Sequence, residues 1–354
     1  MSKILILSAV FLTIGFYVSI NENNESNILI KENHTSEMKQ PIEQNQTNIP
    51  SKKIATEKPK EGLGSFIGKK EEELEKKIGR PSRIDETMYG YQWYIYNQDP
   101  NEYLQVGVEN QRVVTIFAAG QNLDVAPFEI GQPVEEIFNT NYIDTNINLD
   151  FNGNSYRFEL NDTDLNLRPM VQLGNVFVQL YIDKFTGNLS SVRFLDGATL
   201  IKQRPYELVY NGYLIEAPDP SEEMKREIEE DTEQEIFDIT NVLRIRNNVK
   251  VLRWDENTAK AAYQHSQDMS ENNDFSHTSK KFGDLEKRLK TADVAYQAAG
   301  ENIAANYTDG PAVVEGWLNS KGHREALLNK EYTHLGVGVF QNFYTQNFIQ
   351  KTEQ

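Results

Sequence analysis

The chain has 354 residues, enough for two domains of ordinary size, with 53 acidic against 36 basic residues and a formal net charge of -17. That balance, with no stretch of basic residues interleaved with aromatics, excludes a nucleic-acid surface and predicts repulsion of polyanions. The absence of cysteine excludes disulfides, thiolate zinc sites, cysteine nucleophiles and a lipid-modified cysteine.

After Lys3, Ile4 to Ile20 form an uncharged run of 17 residues. Such a run is longer than most secretory h-regions and shorter than the roughly 20 residues of a spanning helix. No small-residue cleavage site follows; Tyr17-Val18-Ser19-Ile20 is a poor one. Residues 1–20 are therefore expected to be a signal peptide or membrane anchor, with the uncleaved anchor preferred. In either case the body of the protein is exported, to the cell surface or the extracellular space. Residues 21–62 are rich in Asn, Glu, Gln, Lys and Ser and cannot bury enough apolar surface to offset chain entropy, so a disordered spacer is expected.

A weak internal repeat follows. Phe66-Ile-Gly-Lys-Lys-Glu-Glu-Glu-Leu74 returns as Glu129-Ile-Gly-Gln-Pro-Val-Glu-Glu-Ile137, each copy opening a short helix ahead of strand-like segments. In the first copy these are Tyr91 to Tyr96, Tyr103 to Val108 and Val113 to Ala118. In the second they are Tyr156 to Leu160, Val176 to Ile182 and Leu189 to Phe194, with turn residues between. Residues 63–208 thus read as an α+β domain of two similar halves, its tyrosines packed within and across strands.

Pro218-Asp219-Pro220 and the acidic run after it mark an expected acidic linker at residues 209–231, although that run also suits the charged first turns of a helix. A second α+β domain is expected over residues 232–354, and a fragment beginning near Ser221 is expected to fold alone. In it Asp255 is placed to cap one helix. Asp309-Gly310-Pro311 is placed to open another, with Val313, Val314 and Trp317 facing inward. Leu335 to Phe340 and Tyr344 to Ile349 read as closing strands.

Of the histidines, His34 lies in the spacer, His265 reads as a hydrogen-bonded core residue on a helix, and His334 opens a strand. His277 and His323 sit at loop or helix-start positions flanked by Ser and Gly, where side chains point into clefts. The series His265-Ser-x-Asp-Met269, Phe275-Ser-His277, Gly300-Glu-Asn-Ile303, Trp317-x-x-Ser320-x-Gly-His-Arg324 and Leu335-Gly-Val-Gly338 resembles a bacterial member of the CAP superfamily. That superfamily comprises the cysteine-rich secretory, antigen five and pathogenesis-related-one (SCP-like) proteins. The region before it is similar to the domain that accompanies CAP domains in some spore-forming bacteria. The resemblance implies an α-β-α sandwich with a central cleft lined by two His and two Glu. Carried over, these are His277, His323 and Glu301, with Ser320 where the second glutamate would fall.

Two imidazoles and one carboxylate could complete three corners of a tetrahedral zinc site, with His277, His323 and Glu301 as ligands and one position open, so the cofactor is either zinc or none. Ser320 and His323, three apart on a helix, also suit a nucleophile and base, but a helix cap is the simpler role for Ser320. His277, Glu301 and His323 also suit a buried hydrogen-bonded network holding the cleft walls together. The reading preferred from sequence is a non-catalytic, exported binding protein with a metal-capable cleft, its ligand a lipid or cell-envelope peptide. A metal-dependent hydrolase of peptide or envelope material is the alternative.

Overall fold

The computed structural model describes residues 57–351 and, by backbone alone, a two-residue strand at Leu29–Ile30. The expected signal or anchor at residues 1–20 and most of the expected spacer lie outside the described residues. Among the described residues no helix is long and apolar enough to cross a membrane.

The first domain opens with helix Glu71–Ile78. Three glutamates lie in its first turn and two lysines in its last, as the helix dipole favours. Its main sheet is seven-stranded and antiparallel, in the order Arg83–Asp85, Gln92–Tyr96, Leu104–Glu109, Arg112–Ala118, Asn188–Leu195, Val176–Asp183, Met170–Leu173. The two halves of the repeat join where Arg112–Ala118 pairs with Asn188–Leu195. They are less alike than the sequence suggests. The segment expected as the second half's first main strand, Asn154–Glu159, instead pairs with Asn146–Phe151 and Glu207–Asn211 in a separate three-stranded sheet. Its place beside Val176–Asp183 is taken by Met170–Leu173, which the sequence reading missed. The burial pattern gives the reason. Val176–Asp183 is buried at every residue, as a strand covered on both faces must be, whereas Asn154–Glu159 buries only alternate positions.

Residues 209–231 are not a linker throughout. Strand Glu207–Asn211 ends the first domain, and Ser221 accepts from the Met224 amide at 3.2 Å to cap the 25-residue helix Glu222–Arg246. The acidic run is the solvated start of that helix, so the true connection is the stretch 212–220.

The second domain is an α-β-α sandwich. Its described sheet runs Ala298–Ala305, Phe343–Gln350, His334–Phe340, Arg253–Trp254, with Leu29–Ile30 pairing in parallel along the outer edge of Ala298–Ala305. Helix Glu256–Asn272, capped by Asp255 through the Thr258 amide at 2.9 Å, lies on one face. Gly336 and Gly338 let it approach: a Cβ at either position would strike the backbone of Ala259 or Tyr263. On the other face Ile236, Ile239 and Leu243 of the long helix, and Val313, Val314 and Trp317 of helix Gly310–Leu318, share one core with Val337, Val339 and Phe348.

That core does not stop at the domain boundary. Tyr91, Trp93, Ile95, Tyr103, Phe117 and Tyr181 of the first domain belong to it. Polar contacts border it: Arg193 pairs with Asp309 at 2.8 Å with the guanidinium buried, and Arg83 pairs with Asp238 at 3.1 Å. The Glu315 carboxylate accepts from Ser190 at 3.0 Å and Ser191 at 2.6 Å. The two domains therefore pack against each other across the boundary.

Candidate functional site

Strand Ala298–Ala305 brings Glu301 to the face covered by helix Glu256–Asn272, opposite Asn347 in register. Gly300 precedes it because a side chain there would strike the Tyr332 hydroxyl. The Glu301 side chain is only 4% exposed. One carboxylate oxygen lies 2.9 Å from His277 Nδ1, and the other accepts from the buried Arg288 guanidinium. Arg288, on helix Leu285–Thr291, also donates to the carbonyls of His277 at 2.9 Å and Gly283 at 3.0 Å, which fixes the loop carrying His277. Burial alone would raise the Glu301 carboxyl, but the Arg288 charge, helped by His265 and His277, outweighs it and holds the group at about 2.

His265 is fully buried on helix Glu256–Asn272, as expected of a core residue, but it is not hydrogen-bonded. Its Nε2 lies 3.8 Å from the Glu301 carboxylate, and burial pushes the imidazole down to about 4, keeping it neutral. The site's other half stands where helix Gly310–Leu318 gives way to helix Lys321–Leu327. Ser320 occupies the N-cap position there, yet its hydroxyl bonds His323 Nδ1 at 2.7 Å instead of a backbone amide. The capping role expected for the Ser320 side chain is thereby corrected: the nearby imidazole competes successfully for the hydroxyl. The His323 carbonyl accepts from Asn302 at 3.1 Å, and the ring is buried.

His277 and Glu301 are thus in direct contact, and Ser320 and His323 are in direct contact. The set expected to hold zinc does not come together: no three His, Asp or Glu side chains among the described residues are placed to hold a metal ion. Arg288 adds a second obstacle. It occupies the carboxylate that would have been the anionic ligand, so the residues present do not fit a zinc site. Two surface cavities, of about 240 Å³ at the domain junction beside Tyr103, Asp238 and Asn241 and about 220 Å³ beside Gln264, Asp268 and Phe282, are not lined by these four residues.

Sequence reasoning missed Arg288 and the closeness of His265. An arginine within the charged string Leu285-Glu-Lys-Arg-Leu-Lys290 carries no signal of burial. The His265-Ser-x-Asp-Met269 motif, by contrast, was a usable hint.

Comparison with known proteins agrees with this architecture. A family model described as CAP-associated N-terminal matches residues 67–206, and one described as the cysteine-rich secretory protein family (CAP) matches residues 237–351. The chain is 52% identical over 293 residues to an uncharacterized membrane protein of Bacillus subtilis, YlbC, covering 83% of this chain and 85% of that one. It is similar to the crystal structure of an extracellular SCP-domain protein from Bacillus anthracis, with TM-score 0.79 and 45% identity over 86% of this chain and 100% of the other. It is also similar to a cysteine-rich secretory protein from Staphylococcus aureus, with TM-score 0.72 and 29% identity over 84% of this chain and 97% of the other. Sequence, motif order and fold agree: the chain belongs to the CAP, or cysteine-rich secretory protein, family, as a bacterial member whose CAP domain follows a CAP-associated N-terminal domain.

Proposed function

We propose that this protein is an exported, membrane-tethered CAP-domain binding protein whose site around His277, Glu301, Ser320 and His323 holds a cell-envelope peptide without catalysis. One observation carries the reading: the Glu301 carboxylate is committed to Arg288 and His277. A carboxyl held at about 2 is a poor general base at neutral pH, and an occupied one is a poor metal ligand. His277, with 38% of its side chain exposed, is left as the group that can meet a ligand. The net charge of -17 disfavours docking of the chain on an anionic lipid surface. The apolar run at residues 4–20 supports the tether, and one relative is named a membrane protein while another is named an extracellular protein.

The contact between Ser320 and His323 supports a second reading, a serine-type hydrolase. Purified cell-wall sacculi and a fluorophosphonate probe separate the two. Binding predicts that the full chain is retained on sacculi, that His277→Ala weakens retention about tenfold as loss of one hydrogen bond would, and that Ser320 stays unlabelled. Labelling of Ser320, with sacculus fragments released and both lost in His323→Ala, would establish the hydrolase instead.

A further inference from the structure

The half of the site formed by Ser320 and His323 is gripped from the first domain at the residues on either side of it. Asn319, immediately before Ser320, places its amide against the strand edge at Ile182–Lys184 as a peptide unit would. Its Nδ2 donates to the Ile182 carbonyl at 2.8 Å, and its Oδ1 accepts from the Lys184 amide at 2.9 Å. Arg324, immediately after His323, donates to the Asp183 carboxylate at 2.9 Å and lies 5.0 Å from the centre of the Phe185 ring. One turn before Asn319, Glu315 is held by Ser190 and Ser191 of the paired strand. The remaining bonds of this corner are internal: Asn319 Nδ2 to the Glu315 carbonyl at 3.2 Å, and Arg324 to the Leu318 carbonyl at 3.2 Å.

Asn319 and Ser320 are also the joint between two helices, the C-cap of Gly310–Leu318 and the N-cap of Lys321–Leu327. Such a joint is where backbone angles can change most cheaply, so its setting decides where Ser320 and His323 point. The joint is buried at Asn319, and two of that side chain's three bonds come from the other domain. His277 and Glu301 receive no such support; Arg288, which holds them, belongs to the CAP domain itself.

We infer that Asp183 and the strand end Ile182–Lys184 of the CAP-associated domain are positioning elements of the CAP site, setting the joint at Asn319–Ser320 and thereby the geometry of the Ser320–His323 pair. The first domain is then a working part of the site and not only a neighbour of it. The inference concerns the site's geometry and holds whichever ligand the site takes.

The test uses the full chain with histidine side chains labelled with ¹⁵N. It reads the His323 ring nitrogens and the exchange rate of the Ser320 hydroxyl proton. Asp183→Ala and Asn319→Ala are expected to shift the His323 Nδ1 resonance and to speed hydroxyl exchange about tenfold, as loss of one structured hydrogen bond does, while the His277 ring signals stay in place. Asp183→Asn, which keeps an acceptor oxygen for Arg324 but removes the charge, is expected to fold and to move the His323 signal in the same direction by less, so the comparison survives if the alanine variants do not fold. Arg83→Ala serves as the control, since it removes a different contact across the same junction, the one to Asp238. It should leave His323 unmoved. The inference is overturned if His323 keeps its wild-type signals in Asn319→Ala, or if Arg83→Ala moves them as far as Asp183→Ala does.

Discussion

Glu301→Ala is expected to cost about 3–5 kcal/mol of stability, because breaking a buried ion pair strands its partner. The partner is Arg288, whose side chain is 3% exposed and whose other bonds go to two loop carbonyls. Replacing both members of the pair, as Glu301→Leu with Arg288→Met, removes the stranded charge and is expected to recover much of that loss. The pH dependence has a definite sign. Glu301 is held at about 2 in the fold against an ordinary value of 4.5, so the unfolded chain binds the extra proton between them. Its contribution is fully present above about pH 4.5 and is lost as the pH falls towards 2. Urea unfolding of the full chain at pH 7 and pH 3 should show a smaller acid-induced loss in Glu301→Ala than in wild type. A cost below about 1 kcal/mol at pH 7, the worth of an exposed ion pair, would show that the carboxylate is not committed to the fold.

A fragment starting at Ser221 is expected to lack a cooperative unfolding transition, while residues 57–354 unfold in one step. Cutting there removes Tyr91, Trp93, Tyr103, Phe117 and Tyr181 from a core they share with the CAP helices. Each large side chain buried contributes about 1.5–3 kcal/mol. Five of them together rival the roughly 5–15 kcal/mol that stabilise a whole domain. The cut also strips Arg193 from Asp309, the N-cap of helix Gly310–Leu318, and the serines from the buried Glu315. Calorimetry of the two pieces decides the point: a sharp transition in the short fragment at the temperature of the long one would show that the junction contributes little.

Much of the second domain was legible in the sequence, because its signals are local and strong. Asp255, Asp309 and Pro311 announce their helices, and Leu335 to Phe340 announces a closing strand. The family resemblance named His277, Glu301 and His323 as cleft residues together; in the structure His277 Nδ1 lies 2.9 Å from the Glu301 carboxylate. The remainder depends on partners distant in sequence. Arg288 reaches Glu301 across 13 residues and Arg324 reaches Asp183 across 141, and neither arginine looks different from a solvated one in the sequence. The strand exchange in the first domain was hidden for a related reason. Met170 to Leu173 is too short to show a period, while Asn154 to Glu159 alternates well enough to suit either sheet. The acidic start of helix Glu222–Arg246 looked like a linker because charge alone does not distinguish a solvated helix face from unstructured chain.

Arg288 holds the carboxylate that a metal would need. Calorimetric titration of the full chain with zinc tests it most directly, with a His277→Ala, His323→Ala double variant alongside and the fold of each checked by circular dichroism. The two proteins are expected to give the same heats, with no saturable one-to-one site tighter than about 1 μM, a binding free energy of about -8 kcal/mol. A one-to-one site in the wild type that disappears in the double variant would contradict it. Such a result would mean that zinc displaces Arg288 from Glu301 and that the site is a metal centre after all.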